Sequence, residues 1–255
     1  NHCTCARQHT TSTCINHTQK RTRARNHQPK REILFPDKEL SKLLRENFSS
    51  DLVQGVSRVL FELEAGSRFN DIGTDPNGRL YVGTLRFDPF NPEALPTPGE
   101  LYRVDSEGEA TQLYDDVGLT NGIGFSPDGE TIYHSDSLRR HIIAHRIKDD
   151  GSCIERHIFA QLPQGTPDGL CVDADGGVWV AAYGAGSILR LSPGGKLDQK
   201  IELPAKKITS LCFGEKDLRT LYVTSADNKE DKSLGGCLFS LRLGIAGLPH
   251  VKVQI

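Results

Sequence analysis

A unit that returns three times constrains this chain more than any other feature. The segments NDIGTDPNGRLYVGT (70–84), NGIGFSPDGETIYHS (121–135) and DGLCVDADGGVWVAA (168–182) share one pattern. Each opens on a polar residue, Asn70, Asn121 or Asp168, and runs through a short apolar stretch into an Asp-containing turn. A second apolar stretch follows. The polar residue always lies eight positions before a turn glycine, Gly78, Gly129 or Gly176. Apolar runs joined by such turns are hairpin signals, because the glycine supplies positive φ and Asp or Asn closes the local hydrogen bonds.

A fourth, diverged copy, ITSLCFGEKDLRTLYVTSAD (208–227), carries Thr209 at the polar position, with a turn two residues longer. The copies start at 70, 121, 168 and 209, spacings of 51, 47 and 41 that hold four short strands each. Hairpins repeating at this period mark a β-propeller. In a propeller, equivalent positions at the inner end of each blade face one channel, so Asn70, Asn121 and Asp168 are expected to converge there. A hairpin requires no amide or carboxylate at these positions, and buried polar groups are costly unless bonded. The second runs (LYVGTL, IYHSDS, VWVAAY) are largely apolar without alternation, as expected for strands covered on both faces.

The flanking regions read differently. Residues 1–36 form a basic leader expected to be disordered. Residues 1–31 hold seven Lys or Arg and no acidic residue, in a chain that lacks Met and starts at Asn1, which suggests a fragment or an imperfect gene start. Their cysteines and histidines follow no tight zinc spacing. Residues 37–55 hold a short amphipathic helix, with Leu40, Leu43 and Leu44 on one face and Asp37 as cap. A strand is expected over 56–64, and residues 56–255 make up the propeller domain.

Charge and composition narrow the function classes. The chain has 255 residues with a net charge of −2. Setting the seven leader cations aside leaves 24 basic against 33 acidic residues, about −9 for the body. Such a body has no electrostatic footprint for nucleic acid or an anionic membrane. No apolar run reaches the roughly 18 residues of a membrane helix. Seven cysteines, four of them (Cys153, Cys171, Cys212, Cys237) in or beside strand-like segments where they read as small buried apolar residues, fit a reducing, cytoplasmic setting. The histidines after residue 31 fall on outer strands or near the terminus, so a histidine-held metal is not expected. Asp136 reads as a structural hydrogen-bonding residue.

Several motifs, in order, resemble the senescence-marker-protein, gluconolactonase and luciferin-regenerating (regucalcin-like) family. They are Arg68-Phe69-Asn70-Asp71 with Asp75-Pro76, Thr120-Asn121-Gly122, Asp136-Ser137, Pro167-Asp168-Gly169 with Trp179-Val180-Ala181, and Cys212-Phe213-Gly214 with Tyr222-Val223-Thr224. The resemblance covers residues 58–250. It implies an all-β, six-bladed propeller with one divalent cation in its channel, Ca2+ or Zn2+ foremost and Mg2+ or Mn2+ next. It implies that Asn121 and Asp168 are metal ligands, that Asp168 is the general base, and that Arg68, Asn70 and, more loosely, Asp88 hold a sugar lactone. The family's third ligand, a glutamate in a first-blade G-E-x-P-x-W segment, has no counterpart in residues 1–55. The ring is therefore expected to be incomplete, about four to five blades, and the chain metal-poor and weakly active. A binding, scaffold or calcium-linked regulatory propeller is the alternative function.

Overall fold

The computed structural model describes Phe61, Leu63 and residues 68–226 and 236–254. The leader, the helix expected over 37–48 and most of the strand expected over 56–64 lie outside the described residues. Within these, all regular structure is strand, in four separate antiparallel sheets. The first blade comprises β1 (Arg68–Thr74), β2 (Leu80–Leu85), β3 (Gly99–Val104) and β4 (Ala110–Val117). The second comprises β5 (Thr120–Phe125), β6 (Thr131–Asp136), β7 (His141–Ile147) and β8 (Cys153–Gln161). The third comprises β9 (Thr166–Val172), β10 (Val178–Tyr183), β11 (Ser187–Leu191) and β12 (Leu197–Glu202). The fourth contains β13 (Ile208–Gly214), β14 (Thr220–Ser225) and β15 (Leu238–Arg242). Each sheet is a meander in chain order, and β1, β5, β9 and β13 pack side by side as the inner strands of a β-propeller.

The second strands explain how blades stack. β10 is buried on both faces: Trp179 and Ala181 join the cluster shared with the fourth blade, while Val178 and Val180 join the one shared with the second. Likewise Tyr81 packs with Ile123 and Phe125 between blades one and two. The apolar runs without alternation are therefore strands with a neighbouring sheet on each side. β14 instead alternates, burying Leu221 and Val223 and leaving Thr224 exposed.

The turns between first and second strands span 75–79, 126–130, 173–177 and 215–219, the same length in every described blade. The fourth copy's turn is thus not longer. Counting back from it puts Ser210, not Thr209, in register with Asp168. Leu218 occupies the glycine position there at φ 52°. In the third blade the buried Asp173 carboxylate accepts from the Gly177 amide, the Trp179 Nε1–H and the Arg190 Nε–H. Asp75 does the same for Asn77, Arg79 and Tyr81, so these turn aspartates carry architecture.

Glycines let the inner strands touch backbone to backbone. A Cβ on Gly122 would lie 2.4 Å from the Leu170 nitrogen and 2.6 Å from the Asp168 carbonyl oxygen. One on Gly169 would lie 2.4 Å from the Ser210 hydroxyl. Backbone atoms cannot yield as a flexible side chain would. Gly122→Ala is therefore expected to force blades two and three apart and to destabilise the protein by about 1–3 kcal/mol, read as a lower midpoint in denaturant unfolding; an unchanged midpoint would contradict this packing.

A polar layer lies buried between blades one and two. His134 on β6 and His145 on β7 are nearly inaccessible, and the Nε2 atom of each lacks a hydrogen-bond partner among the described residues. Tyr114 on β4 bonds His134 Nδ1 at 2.8 Å and stacks on His145 with ring centroids 4.0 Å apart. The Arg156 guanidinium sits over the Tyr114 ring. Burial, reinforced by His145 and Arg156, pushes His134 down to about 3. Burial, with the charges of Arg156 and His157, pushes His145 down to about 4. Both are neutral in the fold and titrate near 6.5 once unfolded. Their stabilisation is whole above pH 6.5 and is lost as pH falls toward 3–4. At pH 5 the loss is expected to be about 2 kcal/mol for each. Thermal midpoints should fall from pH 7 to 5 in the wild type and less so in His134→Gln/His145→Gln; equal slopes would contradict it.

Candidate functional site

The ladder between first and second strands breaks at the same place in the first three described blades and one residue earlier in the fourth. Register shifts fall between Phe69 and Asp71, between Thr120 and Ile123, between Pro167 and Leu170 opposite Val180/Ala182, and between Ile208 and Ser210. These breaks contain Asn70, Asn121, Asp168 and Thr209. A bulge re-aims side chains and frees local backbone, and it frequently sits beside a site. The repeated polar residues therefore occupy the irregular openings of the inner strands.

Asn121 and Asp168 meet across the boundary of blades two and three. The Asn121 Nδ2 donates to Ser137 Oγ at 3.2 Å, and its amide lies close enough to the Asp168 carboxylate to favour the charged form. Burial pushes the Asp168 carboxyl up to about 7; the charge of Asp71 adds to this, and bonds from Asn121 and the Gly169 amide oppose it. Asp71 is itself pushed up to about 6 by burial, against a hydrogen bond from the Ile72 amide. Two carboxylates and an amide thus face one another.

Asn70 takes another course. Its side chain is exposed at the strand opening, and Nδ2 donates to the Thr120 carbonyl at 2.7 Å, tying β1 to the residue before Asn121. It is Asp71, unremarked in the sequence, whose charge reaches Asp168. Arg68 opens β1 opposite Leu85, half-buried, and makes no hydrogen bond or ion pair among the described residues. Asp88 lies in the β2–β3 loop, where its Oδ1 accepts from the Phe90 amide at 2.9 Å and closes a turn. Asp136 accepts from the Gly118 and Leu119 amides and from Arg139, a structural role as expected.

Among the described residues no three His, Cys, Asp or Glu side chains form a metal-binding cluster. Of the second blade's histidines, His134 and His145 lie in the interblade layer and His157 on β8, while His141 opens β7 with its Nε2 3.8 Å from the Asp136 carboxylate. The chemistry of the channel set nevertheless fits a hard cation: oxygen donors from a carboxylate and an amide, with a second carboxylate close by. A cation between like charges would offset their mutual repulsion.

A cavity of about 480 Å³ lies at the opposite end of the inner strands. Thr74, Phe125, Val172 and Phe213 line it, and Leu248–Val251 contribute to its wall. It is mostly apolar and holds none of the polar set. Cys171 and Cys212 line it as free thiols; Cys212 is exposed and Cys171 half-buried, so the expectation of buried cysteines holds for Cys237 and not for these two. No described helix is long and apolar enough to cross a membrane.

A family model described as an SMP-30/Gluconolactonase/LRE-like region matches residues 9–227. A 6-deoxy-6-sulfogluconolactonase of Pseudomonas putida is 39% identical over 190 residues, 71% of this chain and 64% of that protein. Regucalcin of Danio rerio is 36% identical over 194 residues, 72% of this chain and 65% of that protein. The chain therefore spans just under two thirds of the length of these curated relatives. The crystal structure of a calcium-binding protein, regucalcin, from Agrobacterium tumefaciens superimposes with a TM-score of 0.72 at 28% identity, covering 80% of this chain and 72% of that one. The chain belongs to the SMP-30, gluconolactonase and luciferin-regenerating-enzyme-like family.

Proposed function

We propose that this protein hydrolyses a sugar lactone at the channel opening where Asn121 meets Asp168. The observation that carries the reading is that Ser137 joins the two across neighbouring blades, accepting from Asn121 Nδ2 and donating to the Pro167 carbonyl that leads into Asp168. The names of similar proteins, a sulfogluconolactonase among them, point to the same substrate class.

Asn121 Oδ1 and the Asp168 carboxylate would hold a divalent cation, Ca2+ or Zn2+ foremost, with Mg2+ or Mn2+ also suited to oxygen donors. When bound, the ion supplies Lewis-acid polarisation of the lactone carbonyl. Asp168 takes the proton of the attacking water as its oxygen bonds to the carbonyl carbon. The ring C–O bond then breaks, the ring oxygen takes up a proton, and the free hydroxy acid leaves. Arg68, unpaired among the described residues, offers guanidinium donors to the substrate's hydroxyl and ring oxygens. Asn70 has its Nδ2 committed to Thr120, so it presents Oδ1 to a substrate hydroxyl. Asp88, bonded within its own loop, shapes the rim beside Arg68 rather than taking part in the proton transfer. A fixed pose of this kind lowers the entropic part of the barrier. Free thiols and the acidic body fit a cytoplasmic setting.

Asp71 bears on the family's first-blade glutamate, whose G-E-x-P-x-W segment has no counterpart in residues 1–55. It brings a second carboxylate to the pair from the first blade, so the channel's charge does not depend on Asp168 alone. The test is lactone hydrolysis followed by acid release with Ca2+ or Zn2+ present. Asp168→Ala is expected to lower turnover by at least about 10²-fold with an unchanged unfolding midpoint. Hydrolysis that survives Asp168→Ala would overturn the reading, and no hydrolysis by the wild type with any cation would favour a binding or scaffold propeller.

A further inference from the structure

We infer that Ser137 is a positioning residue that sets which way the Asn121 amide faces, and so which atom the channel is offered. The inference rests on the site proposed above and extends it to a residue outside the ligand set.

Ser137 directly follows β6 and is almost fully buried. Its hydroxyl has one proton, and that proton goes to the Pro167 carbonyl at 2.5 Å. A carbonyl only accepts, so this assignment has no alternative. The Ser137 lone pairs then face Asn121 and can be met only by a donor. The amide must turn its Nδ2 toward Ser137, as it does at 3.2 Å. The Asp168 carboxylate, which also only accepts, is close enough for the amide to lower its pKa. With Nδ2 turned to Ser137, Oδ1 is the amide atom left as an acceptor or ligand.

The second half of the arrangement lies in Pro167. Its carbonyl belongs to the peptide that leads into Asp168, so the Ser137 bond fixes the approach of that carboxylate as well. The Ser137 amide in turn donates to the Leu119 carbonyl at 3.0 Å, anchoring the residue to the loop before Asn121. One buried hydroxyl thus ties both members of the pair to a common reference. Groups that orient ligands in this manner change metal affinity by about 10–100-fold when removed.

The test compares Ser137→Ala, which removes the hydroxyl, with Ser137→Thr, which keeps it. In 15N spectra of the full chain, the Asn121 side-chain amide, assigned by its loss in Asn121→Ala, is expected to exchange slowly with solvent. Ser137→Ala should speed that exchange and move the resonance, and Ser137→Thr should restore it. Calcium titration calorimetry is expected to show about 10–100-fold weaker binding for Ser137→Ala, and no additional loss when the same change is made in Asn121→Ala. An Asn121 resonance indifferent to Ser137→Ala, or an equal loss of calcium affinity with Asn121 already absent, would overturn the inference. A wild type that takes up no calcium would count against the cation-assisted reading, while the amide exchange would still decide the role of Ser137.

Discussion

The contact of inner strand on inner strand, backbone against backbone at glycine, governs the rest of this molecule. Gly122 leaves no room for a side chain between β5 and β9, and Gly169 leaves none between β9 and β13. A propeller with bulkier residues there would hold its blades farther apart, and two short side chains on different blades could not meet. Asn and Asp have little reach, so their approach depends on the missing Cβ one position further along. Each glycine follows the polar residue it serves: Asn121-Gly122 and Asp168-Gly169 are single devices, the first residue carrying chemistry and the second permitting approach.

The bulges complete that device. Regular pairing would alternate side chains between faces and pack every other one against the neighbouring blade. The broken register releases Asn70 in the first blade, and Asn121 with Gly122 in the second, from that rule. In the first blade the consequence is that Asn70 bonds across to Thr120 while Asp71 sends its charge toward Asp168. Burial then holds both carboxyl groups above the usual carboxylate range, and the charge of Asp71 adds to this at Asp168. A site with this character favours a cation and a proton acceptor in the same small volume, and each follows from backbone geometry.

Much of the fold was legible in the chain because its signals are local. A turn such as Asp75-Pro76-Asn77-Gly78 states its own conformation, and the apolar run after it states that both faces are covered. The family resemblance rested on the same segments and agrees with the matched family. Asn121 and Asp168 stood out since each opens a repeat. The fourth copy misled because Leu218 holds the left-handed position without glycine and Glu215 replaces Asp, which disguised the turn and shifted the register by one. Asp71 was hidden because simple alternation points it away from Asn70; only the bulge reverses that. Ser137 could not be found locally, since its partner Pro167 lies thirty residues on, in the next blade. The His134–His145–Tyr114 layer was equally invisible, being assembled from three strands of two sheets.

The central claim is that the carboxylate and the amide of neighbouring blades grip one cation together. Terbium luminescence, with the lanthanide standing in for calcium, reads that grip without any substrate. A single saturable site, displaced by calcium and abolished in Asn121→Ala and in Asp168→Ala alike, is what the account predicts. Emission that saturates equally well in both variants would contradict it.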